Sequence, residues 1–248
     1  MMNGCSKSRC IVYTLFVVLL PIFLMAAIIQ FAPASIARLF VNPDKIRSVF
    51  EYQQVQEQKS RAKKAQEIIK KDIKSETGNI LANPMDPKIG KSDAKVTIVE
   101  YLDYKCGYCR KAHDELSKVL SDAKYKDSVR VIVKHYPVIG GEISLYASEV
   151  AVAFYQTNPD KFSNLHDKLF ASPLATKSDV DAILKSFGTS YEKIKNDKAR
   201  DSIIANFNFA RDLAISGTPA FIVGSELVSG YIPADQLVAM LDKELEKK

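Results

Sequence analysis

Apolar residues are spread very unevenly along this chain. From Ile11 to Ala32 they form a nearly unbroken run, interrupted by Thr14, Pro21 and Gln30. A helix of that length reaches across the hydrocarbon core of a bilayer. Lys7 and Arg9 precede the run and place the N-terminus in the cytoplasm, with the following chain outside. Ala32-Pro33-Ala34 before Ser35 has the small-residue spacing of a signal cleavage site. Residues 1–34 are therefore either a signal peptide or a membrane anchor. Both put the remainder in an exported compartment that permits disulfides, such as the periplasm.

The pattern then inverts. From Pro43 to Lys74 the chain is polar, charged and free of glycine. Pro43 suits the first turn of a helix with Asn42 as its cap. Thirty-odd residues at about 1.5 Å each make a rod of roughly 45 Å. Val55, Ala62 and Ile69 recur every seven residues, but Gln56–Lys64 offers Ala62 alone as an apolar position. That seam is thin for a coiled coil. Residues 35–80 read as a charged helical spacer, or as an oligomerisation stalk that makes a homo-oligomer through residues 43–74. Thr77-Gly78-Asn79 marks the end of the helix, and Asn83-Pro84-Met85-Asp86-Pro87 a hinge.

Beyond residue 81 short periods alternate. Val96–Leu102 and Val129–Tyr136 read as buried strands, with a helix over Arg110–Leu120 between them. Pro137 and Gly140-Gly141 close the second strand. Helical spacing follows over Glu142–Gln156, Pro159–Phe170 with Asn158 as cap, Ser178–Phe187 and Tyr191–Ile215. Ala220–Val223 and Glu226–Ser229, joined by Gly224-Ser225, suggest a hairpin. A last helix runs from Pro233. The order is strand, helix, strand, four helices, two strands, helix: an α/β domain over 81–248.

The 248 residues are 47% hydrophobic, lack tryptophan and carry a net charge of +6. The lysines are interspersed with acids, and no aromatic and basic interleaving suggests nucleic acid. Cysteine usage says more. Cys5 and Cys10 precede the apolar run, so the exported part holds Cys106 and Cys109 alone. These two, in Cys106-Gly107-Tyr108-Cys109, follow a strand and open a helix. The first thiol then faces the positive end of the helix dipole, which favours its thiolate. That arrangement serves thiol–disulfide exchange. A structural bridge closing so short a loop removes little chain entropy. Zinc would need two ligands besides the pair. His113 supplies one at Cys-x-x-Cys-x-x-x-His spacing, and no fourth stands nearby. Haem attachment would need histidine where Arg110 stands.

The motif and the element order together resemble the DsbA-like family, a thioredoxin fold with an inserted helical domain. Four features carry the resemblance: the cysteine pair, Glu100 six residues before Cys106, a helical insert at about 142–216, and Gly217-Thr218-Pro219 before a strand. It implies that Cys106 is the nucleophile and Cys109 the resolving thiol. It further implies that Pro219 is cis, with the Thr218 backbone left to pair with substrate, and that Glu100 assists proton transfer to Cys109. It implies no cofactor. The partners would be newly exported or unfolded cysteine-containing proteins, and a membrane redox partner that resets the pair. No histidine lies between the cysteines, where strongly oxidising members carry one, and Lys105 is a candidate replacement for its charge. Thr218 and the charged helix are instead similar to isomerase-like, trimeric ScsC-like members. The expected activity is thus disulfide formation, with isomerase or reductase action of an oligomer as the alternative. A thiolate metal-binding envelope protein stands as a reading from another class.

Overall fold

A computed structural model describes residues 43–75, 80–81 and 83–247. The expected membrane segment, its cleavage site, the Asn42 cap and the Thr77–Asn79 helix end lie outside these residues. Among the described residues no helix is long and apolar enough to cross a membrane.

The chain divides between Lys59 and Ser60 into two compact units. Helix α1 covers Pro43–Ile73. In its first unit Ile46, Val49, Phe50, Tyr52 and Val55 are all exposed. Its last part is not a solvated spacer. Ala65 and Ile69 are buried in a core with Ile80, Val99, Tyr101 and Ile222, and Ile68 and Ile73 pack against them. Those positions recur every three to four residues, which is one helical face.

The second unit is built on a five-stranded sheet in the order β1-β3-β2-β4-β5. The strands are β1 (Lys88–Ile89), β2 (Val96–Leu102), β3 (Val129–His135), β4 (Ala220–Val223) and β5 (Glu226–Ser229). β2 and β3 run parallel, and every other pairing is antiparallel. The expected strands are present, and β1 is an addition too short to show a period. Between β2 and β3 lie α2 (Gly107–Ser121) and the single turn α3 (Ala123–Lys126). α2 starts at the motif itself rather than at Arg110.

The insert comprises α4 (Gly141–Thr157), α5 (Phe162–Ala171), α6 (Lys177–Lys185), α7 (Tyr191–Ile194) and α8 (Asp197–Asp212). The expected single helix over Tyr191–Ile215 is two. The backbone leaves the helical region at Lys195, and the Asn196 side chain caps α8 by accepting from Lys198 N at 3.0 Å. Asn158 does not cap through its side chain, and a 3-10 turn over Pro159–Lys161 leads into α5. The closing helix is α9 (Ala234–Leu245).

Side chains alternate across the sheet. Ile98, Leu102, Val131, Val133 and Phe221 face one core, shared with α2, α9 and the insert. Val99, Tyr101, Ile132 and Ile222 face the other, covered by the end of α1 and by Phe209, Ala210 and Leu213. On this second side lies an ion pair between Lys134 and Asp86, both 1% exposed. Asn206 and Ser202 of the insert also reach the Asp86 carboxylate, at 3.2 and 3.4 Å. Burial pushes Asp86 above its usual range, against the pull of Lys134. Lys134→Met leaves a buried carboxylate without its cation and is expected to cost about 3–5 kcal/mol. Urea unfolding checks this, and Asp86→Asn added to that variant should recover much of the loss.

Candidate active site

The strand β2 ends in a short loop, Asp103-Tyr104-Lys105, that delivers Cys106 to the start of α2. The loop is held by Asp103, whose buried carboxylate accepts from Lys105 N at 2.8 Å, Ile139 N at 2.7 Å and Ser144 Oγ at 2.5 Å. One side chain thus fixes the motif to the turn before the insert. Gly140 has to be glycine there, because a Cβ would approach the Lys105 Cγ to 2.4 Å.

Cys106 is the N-cap residue of α2, with extended backbone angles. Its carbonyl accepts from Arg110 N at 3.1 Å, so its sulfur lies at the end where helix amides are unpaired. It is 7% exposed, while Cys109, one turn on, is fully buried. Both are free thiols. The Cys106 Sγ donates to Thr218 O at 3.3 Å. The Thr218–Pro219 bond is cis, as expected from the resemblance. Pro219 is buried, and its carbonyl accepts from Gly230 N at 2.8 Å.

Burial divides the two sulfurs. Burial raises the Cys109 thiol far above its usual range. The Thr218 hydroxyl faces it and pulls the other way, without closing to hydrogen-bond geometry. Glu100, on the β2 face that looks toward α2, is fully buried and neither oxygen has a hydrogen-bond partner. Desolvation pushes its pKa up to about 8. The fold therefore gathers all five residues expected from the sequence: Cys106, Cys109, Thr218, Pro219 and Glu100. Thr218 and Glu100 both act on the field at Cys109.

The surroundings differ from expectation in two respects. Lys105 is not at the thiol, because its ammonium donates to Pro173 O at 2.8 Å. Arg110 likewise donates to Ser172 O at 3.0 Å, so two cations tie the motif to the α5–α6 loop. The second difference is a buried cluster that sequence reasoning did not assemble. Tyr104 OH lies 2.8 Å from His166 Nδ1 and 3.3 Å from His135 Nε2. One hydroxyl has one proton, so one imidazole must donate to it and the other accept. Burial lowers His135 to about 3 and holds His166 well below its ordinary value. His113 stacks on Phe170 with ring centroids 4.7 Å apart. Its Nε2 turns to Asp167 Oδ1 at 3.1 Å, not to the cysteines. Among the described residues no group of three or more His, Cys, Asp or Glu converges on a metal position.

Comparison with known proteins places the fold among thiol–disulfide oxidoreductases. The family model described as Thioredoxin fits residues 82–243. Disulfide bond formation protein D of Bacillus subtilis is 25% identical over 174 residues, 65% of this chain and 78% of that protein. A periplasmic thioredoxin-like protein from Salmonella enterica serovar Typhimurium superposes with a TM-score of 0.63 at 31% identity, covering 68% of this chain and 94% of that one. A linker-deletion mutant of Proteus mirabilis ScsC superposes with a TM-score of 0.68 at 28% identity, over 83% of this chain and 95% of its own. The chain belongs to the thioredoxin family, among its DsbA-like thiol–disulfide oxidoreductases.

Proposed function

We propose that the chain acts outside the cytoplasm and forms disulfide bonds in newly exported, cysteine-containing proteins. The observation that carries this is the contrast between the two sulfurs. Cys106 stands at the amide end of α2 against the Thr218 carbonyl, and Cys109 is sealed one turn behind it.

In the oxidised protein a substrate thiolate attacks the Cys106 sulfur. A substrate–Cys106 bond forms, the Cys106–Cys109 bond breaks, and the electron pair leaves on Cys109, which takes a proton. A second substrate thiolate then attacks the substrate sulfur of the mixed disulfide. The substrate disulfide departs, and the electron pair leaves on Cys106, whose charge the helix amides stabilise. Glu100 is the proton donor and acceptor for Cys109, since a buried acid with a pKa of about 8 holds either state near neutral pH. The Thr218 backbone is offered to an extended substrate segment, while Pro219 has no N–H and its carbonyl is taken by Gly230 N. Exposed Tyr108 within the motif and exposed Ile139 in the turn pinned to it suit an apolar chain. A membrane redox partner restores the disulfide.

The test is the equilibrium reduction potential of the pair against glutathione, on protein starting near Ser35. A value near about −120 mV marks a disulfide donor, and one near about −180 mV or below marks an isomerase or reductase kept reduced by a partner.

The second reading, isomerase or reductase action of an oligomer, is favoured by one observation. Five large apolar side chains stand exposed on the first part of α1, where a solvated helix would carry polar ones. If they form an interface, Phe50→Glu is expected to convert the oligomer to monomer in sedimentation while leaving the reduction potential unchanged. Wild-type protein that sediments as a monomer sinks this reading.

A further inference from the structure

The exchange cycle loads Glu100 with a proton and requires that it be unloaded. Glu100 is fully buried, and its oxygens have no partner to hand the proton to. A cavity of about 290 Å³ lies against it, lined by Glu100, His113, Ser117, Ser163, His166 and Asp167 among others. That volume is several times the roughly 30 Å³ a water molecule occupies, and the walls are polar enough to hold water. Two imidazoles line it, and they are not equivalent. His166 is buried, with its Nδ1 engaged by Tyr104 OH at 2.8 Å. His113 is 12% exposed and paired at 3.1 Å with Asp167, which is 56% exposed. The stack on Phe170 and the edge contact to His166, with centroids 5.0 Å apart, fix its ring. A Nε2–H held by Asp167 leaves Nδ1 as the basic nitrogen.

We propose that His113, oriented by Asp167, relays protons between Glu100 and solvent through water in this cavity. The inference rests on the assignment of Glu100 as the proton acceptor of Cys109. The balance is simple. When the reduced pair is reset, Cys109 attacks the mixed disulfide that Cys106 has formed with the oxidant. Its proton passes to the Glu100 carboxylate, the Cys106–Cys109 bond forms, and the electron pair leaves on the oxidant's sulfur. Glu100 then gives that proton to cavity water, water to His113, and His113 to bulk water at the Asp167 rim. The return path runs the same way in reverse. The charged groups facing His113 are Asp114 on its own helix and Asp167 on α5. Burial lowers its affinity for a proton below the ordinary value, and the two carboxylates pull part of the way back.

The experiment is turnover of a fluorogenic dithiol peptide by the full chain, with oxidised glutathione as the recycling oxidant, at low and rising imidazole concentration. His113→Ala should turn over at least about tenfold more slowly in dilute buffer and recover as imidazole replaces the missing relay. Wild-type turnover should not respond to imidazole. Asp167→Asn, at an exposed position, should show a smaller loss with the same recovery, and it decides the matter if His113→Ala fails to fold. Unchanged rates in the variants, or a loss that imidazole does not restore, overturn the relay alone. Wild-type protein that does not oxidise the peptide overturns the proposed function and the relay with it.

Discussion

Cys106→Ser is expected to reduce peptide-thiol oxidation to the uncatalysed level, and Cys109→Ser to leave substrate bound as a stable mixed disulfide. The asymmetry comes from burial. Cys106 is the sulfur within reach of a substrate, whereas Cys109 is fully buried and can attack only across the turn of α2. Losing Cys106 removes the first bond-forming step. Cys109→Ser has no disulfide of its own, so its adduct forms when the Cys106 thiolate attacks a disulfide of oxidised substrate and the electron pair leaves on the substrate's second sulfur. With the intramolecular attacker gone, that adduct should survive at least about 100-fold longer. Non-reducing gel electrophoresis after an acid quench, with mass spectrometry of the adducts, reads both outcomes. Ordinary turnover by Cys109→Ser, or adducts on Cys109 in Cys106→Ser, would reverse the two roles.

The second large effect concerns pH. Glu100 titrates near 4.5 when exposed and at about 8 in the fold. Between those values the folded chain holds a proton that the unfolded chain releases. Stability from this group is fully present below pH 4.5 and is lost as pH rises toward 8. The slope is about 1.4 kcal/mol per pH unit, which amounts to roughly 4–5 kcal/mol across the window. Glu100→Gln should flatten that slope in denaturant unfolding measured from pH 5 to 8 on reduced protein. The slope, rather than stability at one pH, is the quantity to compare, since a buried glutamine amide carries its own cost. An identical slope in the variant would mean that Glu100 is already ionised in the fold at pH 5.

What the sequence disclosed and what it hid divide by distance along the chain. Cys106 and Cys109 belong to one run of residues, and Glu100, six residues before Cys106 on the preceding strand, was expected from the resemblance alone. Thr218-Pro219 lies far away in sequence but announces itself by its place before a strand. The Tyr104–His135–His166 cluster had no such signal. Its members are separated by 31 and 62 residues, and each alone reads as an ordinary core or surface residue. The break between α7 and α8 was visible as Asn196-Asp197, a capping pair hidden inside continuous helical spacing. The end of α1 was misread for another reason. The seven-residue recurrence of Val55, Ala62 and Ile69 drew attention to a seam on which Ala62 is exposed. The buried face is the four-residue recurrence of Ala65, Ile69 and Ile73. Residues 60–73 therefore belong with the catalytic fold, and a truncation that removes them exposes its second core.

The contacts from Lys105 to Pro173 and from Arg110 to Ser172 have a bearing on engineering. Both cations flank the reactive pair, and both spend their donors on carbonyls of the insert. In that same loop Leu174 takes a left-handed backbone angle of +46° while fully buried. Grafting a relative's insert onto this sheet to change substrate preference would need Ser172, Pro173 and Leu174 carried over as a block with matching cations. A chimera that keeps the helices and replaces this loop would fold around a loosened motif.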